Sequence, residues 1–265
     1  MKYIVDHDLH IHSYLSFCSR DPLQNNEAIL KYAKDNKLKT ICLTNHFWDE
    51  KIPGASPWYE KHNFEHISSA LPLPESDNVR FLFGCETELD SVLTLAITPE
   101  RMNDFDFIII PTTHFNLKGI TVTDVDTFST DNLAAAWIRR LDAVLNMELP
   151  FHKIGLAHLA CTLIAPTRAE YLEVLSLLPE EELRRLFTKA AEVGVGIELN
   201  AGDMSFDKSE EQIVLRPFRI AKECGCKFYL GSDSHHPEDL AEANKIFKRA
   251  IKLLHLVEAD KFIPS

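Results

Sequence analysis

Seven short apolar runs, each closing on polar residues, recur along the chain and alternate with stretches whose apolar positions repeat every three to four residues. The runs are Tyr3 to His10, Thr40 to Thr44, Val79 to Cys85, Phe105 to Ile110, Lys153 to Ala157, Gly194 to Leu199 and Cys226 to Leu230. Between them the pattern predicts helices over Gln24 to Asn36, Asn132 to Met147, Glu180 to Glu192, Glu211 to Glu223 and Pro237 to Leu256. Leu183, Leu186, Phe187 and Ala190, for example, share one helical face. Strand and helix in strict alternation is the mark of βα units around a parallel sheet. At 265 residues the expectation is one α/β barrel domain spanning 1–265.

The segment Phe47 to Leu73 breaks the alternation. It carries Trp48, Trp58, Tyr59, His62, His66 and three prolines, and reads either as a lid over a binding site or as a packed excursion. No internal repeat, low-complexity tract or Gly/Ser-rich linker interrupts the rest, which again favours one unit.

Composition narrows the function classes. An apolar content of 45% with 26% charged residues is ordinary for a globular protein, and no run approaches the ~18 apolar residues that a membrane-spanning helix needs. Met1 leads straight into Tyr3-Ile4-Val5 with no signal-peptide pattern, so a cytoplasmic location is expected. The six cysteines, at 18, 42, 85, 161, 224 and 226, form no CxxC pair and lie mostly in apolar runs, as buried reduced thiols do. A formal charge of -12 disfavours nucleic acid as a partner.

In a parallel barrel the carboxyl ends of the strands converge on one face, so the residues closing each run meet in space. Those residues are Asp8-Leu9-His10-Ile11-His12, Thr44-Asn45-His46, Gly84-Cys85-Glu86-Thr87-Glu88, Thr112-Thr113-His114, Ala157-His158, Glu198-Leu199-Asn200 and Gly231-Ser232-Asp233-Ser234-His235. A histidine or carboxylate closes all seven. An isolated strand-end histidine is usually a hydrogen-bonded structural residue, but burying this many polar groups without cations would cost several kcal/mol each. A multinuclear metal site accounts for them together.

These motifs resemble, in order and over the whole chain, those of the PHP (polymerase and histidinol phosphatase) family. The resemblance implies a distorted (β/α)7 TIM-like barrel that binds two or three divalent ions (Zn, Mn or Fe) and hydrolyses a small phosphorylated substrate. It implies that His10, His12, Glu86 and Asp233 hold the first metal, that Glu86 bridges to a second held by His114 and His158, and that His46 and His235 hold a third. Many relatives carry one more histidine shortly after the HxH pair. Here the segment reads Ser13-Tyr14-Leu15-Ser16-Phe17-Cys18-Ser19-Arg20-Asp21, in which Cys18 is either a substitute ligand or an inert small residue.

The expected chemistry is in-line attack on phosphorus by a metal-held hydroxide, centred on Glu86 and Asp233. Charge on the phosphoryl oxygens would be met by the metals and an arginine. Arg168 is the candidate, with a solvated helix-start arginine as its plain reading and Arg20 as the other choice. Glu88 and Glu198 read as groups supporting the ligands, as proton carriers or as salt-bridge partners. His62 and His66, at helical i, i+4 spacing, read as a metal pair or as lid residues. His7, His152, His236 and His255 lie off the pattern. The alternatives are a barrel amidohydrolase, against which stands the lack of a strand-end lysine to carbamylate, and a non-catalytic metal-binding module.

Overall fold

The seven runs form seven parallel strands hydrogen-bonded in sequence order, in a computed structural model that describes residues 1–265. They are β1 (His7–Ile11), β2 (Thr40–Leu43, continued by His46–Phe47), β3 (Arg80–Thr87), β4 (Phe107–Pro111), β5 (Ile154–Ala157), β6 (Gly196–Asn200) and β7 (Lys227–Gly231). Thr44 and Asn45 interrupt β2 without a change of register, since Thr40 pairs with Arg80, Leu43 with Phe83 and His46 with Glu86. The seam between β7 and β1 is nearly closed by a few bonds rather than a ladder. Asp233 N donates to His10 O at 2.7 Å and His12 N to Ser234 O at 3.0 Å.

Eight helices complete the units: α1 (Asn26–Asp35), α2 (Phe64–Ser68), α3 (Thr130–Leu145), α4 (Arg168–Leu177), α5 (Glu180–Val193), α6 (Glu211–Val214), α7 (Arg216–Glu223) and α8 (Pro237–Leu253). Four features differ from the sequence expectation, the first being α2, a short helix within the 47–73 excursion. α4 was not foreseen, because its apolar residues do not gather on one stripe. It starts on a capping box in which Thr167 Oγ1 accepts from Glu170 N and the Glu170 carboxylate accepts from Thr167 N. The helix expected over Glu211 to Glu223 is split at Leu215, where Pro217 cannot donate into a continuing turn and instead occupies the start of α7. The first strand begins at His7 rather than Tyr3, whose buried hydroxyl donates to Phe228 O at 2.9 Å instead of extending the ladder.

Strand alternation sorts the side chains. Inside the barrel Leu9, Cys42, Leu82, Phe107, Ile109, Ala157 and Tyr229 pack together, closed from below by Phe262. Their sequence neighbours Ile41, Leu43, Ile108, Ile110, Phe228 and Leu230 face the helical layer. Above the inner plug the same alternation turns polar: Leu82 and Gly84 are followed by Glu86 and Glu88, and Gly196 by Glu198 and Asn200. The apolar half fills the barrel and the polar half opens at its carboxyl end. All six cysteines are free, four of them buried, and no helix is long and apolar enough to cross a membrane.

The excursion from 47 to 73 is packed. Trp48, Tyr59 and Ile67 are buried, and Asn63 caps α2 by accepting from His66 N at 3.0 Å.

Candidate metal centre

Glu86 lies at the centre of the polar half, 1% exposed. His46 Nδ1 is 2.9 Å from its Oε2 and His12 Nε2 3.4 Å. His158 Nε2, His10 Nε2 and His114 Nε2 lie 3.3, 3.7 and 3.9 Å from its Oε1. Asp233 closes the ring, with Oδ1 3.2 Å from His12 Nε2 and 3.4 Å from His10 Nε2, and Oδ2 3.6 Å from His158 Nε2. His235 completes it by stacking on His12 at 4.2 Å between ring centres. Five sets place one donor atom each within 4.8 Å of the others: His10, His12 and Glu86; Glu86, His114 and His158; His12, His46 and His235; His10, His158 and Glu198; and His158, Cys161 and Asp203.

The outward nitrogens of these rings are spoken for. His10 Nδ1 donates to Glu198 Oε1 at 2.6 Å, His12 Nδ1 to Ser16 Oγ at 2.9 Å, His114 Nδ1 to Glu88 Oε1 at 2.8 Å and His235 Nδ1 to Asp233 O at 2.8 Å. Each Nε2 is thereby turned toward the centre, which is how metal-binding histidines are usually held. By contrast, neither oxygen of Glu86 accepts a hydrogen bond, and His46 Nδ1 has no hydrogen-bond partner either. A buried carboxylate left without donors is costly, so the donor set fits divalent cations better than it fits an empty polar core.

Charge follows the same logic. Burial would raise the Glu86 carboxyl, but the imidazoles of His46 and His10 hold it well below the usual range. Burial likewise opposes the ionised form of Asp233, and His10 with its neighbours overrides it. His235, half-buried and facing His12, is pushed down to about 3 by desolvation and by the neighbouring imidazole. Two of these residues also have unusual backbones, His158 with φ 63° and Asp233 with φ 54°. Left-handed non-glycine residues of this kind cluster at functional sites.

The cluster floors a cavity of about 570 Å³. Trp58 and Tyr59 wall one side, and Asn116, Leu117, Cys161, Thr162, Leu163 and Asp203 the others. No lysine or arginine lines it.

The remaining sequence candidates lie at the edge of this arrangement or outside it. Cys18 lines the cavity but belongs to none of the donor sets. Although Cys18 is exposed as a whole, desolvation at the cavity wall, and after it the charge of Glu86, pushes its thiol up, which disfavours the thiolate in the absence of a cation. Arg168 opens α4, where its guanidinium grips Glu210 through Nε (2.8 Å) and Nη2 and stacks on Tyr171. It does not reach the cavity. Arg20 donates to Phe17 O at 2.8 Å on the exposed surface.

His62 and His66 are clips and not a metal pair. His62 Nδ1 donates to Trp58 O at 2.9 Å while its Nε2 accepts from Phe17 N at 3.1 Å, and His66 Nε2 donates to Leu15 O at 2.8 Å.

Sequence reasoning missed Asp203, Cys161 and the role of Tyr59. Asp203 Oδ2 accepts from Ala160 N at 3.0 Å and its Oδ1 faces His158 Nδ1 at 3.9 Å. It stands three residues beyond the polar end of β6, and a search past the first polar residue of each run would have reached it. Tyr59 donates to Glu88 Oε1 at 2.6 Å, a contact between distant segments that no local pattern announces.

The architecture is thus that of a seven-stranded TIM-like barrel with a histidine and carboxylate cluster at the carboxyl ends of its strands. It is similar to the crystal structure of histidinol phosphate phosphatase from Lactococcus lactis subsp. lactis Il1403, solved with zinc, L-histidinol and phosphate. The TM-score is 0.57 at 20% sequence identity, over 92% of this chain and 93% of that one. No protein-family model matches the sequence, and no curated protein matches it.

Proposed function

We propose that residues 1–265 form one barrel domain that acts as a metal-dependent phosphoesterase on a small phosphorylated metabolite. The observation that carries this reading is Glu86, a buried carboxylate with no hydrogen bond to either oxygen, ringed by histidines whose other nitrogens are already fixed. The likeness of the fold to a phosphatase solved with zinc, L-histidinol and phosphate gives it a reaction class and makes histidinol phosphate the first substrate to try.

In this reading His10, His12, Glu86 and Asp233 hold one cation, Glu86, His114 and His158 a second, and His46 with His235 a third, the ions being Zn, Mn or Fe. Such ions supply Lewis acidity toward phosphoryl oxygens and make a water nucleophilic near neutral pH. The chain itself does the positioning. Glu198, Ser16 and Glu88 lock His10, His12 and His114 in their tautomers. The cavity, lacking any lysine or arginine, leaves the substrate's phosphate to the cations, while Trp58 and Leu117 offer apolar surface to the rest of a small molecule.

The test is metal content by plasma mass spectrometry on protein purified without added metal, with hydrolysis of p-nitrophenyl phosphate and histidinol phosphate measured with and without chelator. Two or three equivalents and chelator-sensitive hydrolysis are expected. Metal-bound protein that cleaves amides and leaves phosphoesters intact would overturn the assignment.

A further inference from the structure

Glu198 is bound to both sides of the centre at once. Its Oε1 accepts from His10 Nδ1 at 2.6 Å, and its Oε2 accepts from the backbone N–H of His158 at 3.2 Å and from Asn200 Nδ2 at 3.3 Å. His10 belongs to the donor set with His12 and Glu86, His158 to the set with Glu86 and His114. Glu198 is 1% exposed and faces into the barrel from the middle of β6.

Direct ligation by Glu198 does not fit. The 2.6 Å separation from His10 Nδ1 is a charge-assisted hydrogen bond, shorter than two atoms sharing one cation at ~2.1 Å with ordinary ligand angles would adopt. The structure also makes room for this carboxylate at one place. A Cβ at Gly231 would collide with Glu198 Oε1 and come within 2.7 Å of His10 Cβ. Glycine at 231 is therefore required by space, and the space it leaves is the one that Glu198 uses. On the other side, His158 keeps its left-handed backbone between two bonds, its N–H to Glu198 and its carbonyl accepting from Thr113 Oγ1.

We propose that Glu198 is a positioning residue common to two donor sets, fixing the ring of His10 and the backbone of His158, so that one carboxylate governs cation affinity at both. The proposal rests on the metal-dependent reading above. Glu88 provides the contrast, because among the candidate ligands it touches His114 alone.

The test compares full-length wild type with Glu198→Gln, Gly231→Ala and Glu88→Gln by Co²⁺ titration followed in the visible spectrum, and by zinc stoichiometry after dialysis. Circular dichroism verifies that each variant is folded. Glu198→Gln keeps the shape and removes the charge, and is expected to weaken two equivalents ~10- to 100-fold, the range for losing the partner of a ligating histidine. The Co²⁺ spectrum should change with it.

Gly231→Ala, whose Cβ presses on both the Glu198 carboxylate and His10 Cβ, should weaken the same two equivalents at least as much, and Glu88→Gln should weaken one equivalent only. Wild-type affinity in Glu198→Gln, or loss of a single equivalent as in Glu88→Gln, would overturn the proposal even if Gly231→Ala fails to fold. Wild type that takes up neither Co²⁺ nor zinc would instead bring down the metal-dependent reading, and this proposal with it.

Discussion

His46 Nδ1 points at Glu86 Oε2 from 2.9 Å, yet neither atom makes a hydrogen bond. Two buried polar atoms so close and so poorly satisfied define a place where a cation improves the fold as well as the chemistry. Removing metal is therefore expected to abolish hydrolysis and to lower the melting temperature, and adding zinc or manganese back to restore both. A thermal scan of metal-free protein that does not respond to added ions would contradict this.

Asp233→Ala and His10→Ala each remove a side chain from the polar floor and leave the apolar plug beneath it in place. Each is expected to lower kcat/KM at least ~100-fold through lost cation binding, while the far-ultraviolet dichroism stays that of wild type. Activity within a few-fold of wild type in either variant would remove it from the ligand set.

Arg168 is bound to Glu210 outside the cavity. Arg168→Ala should change kcat/KM less than ~3-fold and stability by about 0–1 kcal/mol, the range of exposed ion pairs. A loss of 100-fold in steady-state assays would restore the arginine to a catalytic role.

Arg140 is the opposite case, fully buried with its guanidinium donating to the carbonyls of Thr112, Leu89, Asp90 and Thr121. It ties the loops that follow β3 and β4. Arg140→Met should destabilise by about 3–5 kcal/mol, since four carbonyls lose their donor. Urea unfolding of the metal-loaded protein measures it.

The foot of the barrel has its own pH response. Burial opposes the ionised form of Asp6, but hydrogen bonds from His7 and Lys261, the latter 2.9 Å away, hold it down at about 2 from an ordinary 3.8. A depressed carboxylate stabilises the fold above its unfolded value and loses that contribution as pH falls through the folded one. About 1–2 kcal/mol should disappear between pH 4 and pH 2. Asp6→Asn should flatten this part of the urea-midpoint profile, and an unchanged slope would show that other groups carry it.

Much of this was legible in the chain because a parallel barrel makes the end of each apolar run a position in space. His10, His46, Glu86, His114, His158, Asp233 and His235 meet for that reason, although β1 and β7 are over 200 residues apart. Less legible was whatever depends on how loops travel. Arg168 and Cys18 lie close in sequence to candidate ligands, but a helix start turns Arg168 toward Glu210, and the loop after β1 leaves Cys18 at the cavity wall. Asp203 went unseen because it follows the strand end by a turn. The split of α6 from α7 was written in Pro217, whereas α4 was announced only by its capping box.

The clipped excursion has a consequence for substrate entry. Held by Tyr59 on Glu88, His62 on Phe17 and His66 on Leu15, the wall that carries Trp58 is a fixed jamb. Elsewhere the cavity is lined by Leu163, which is 41% exposed. A substrate entering the cavity therefore meets a rigid aromatic surface on the Trp58 side, one already in place before anything binds.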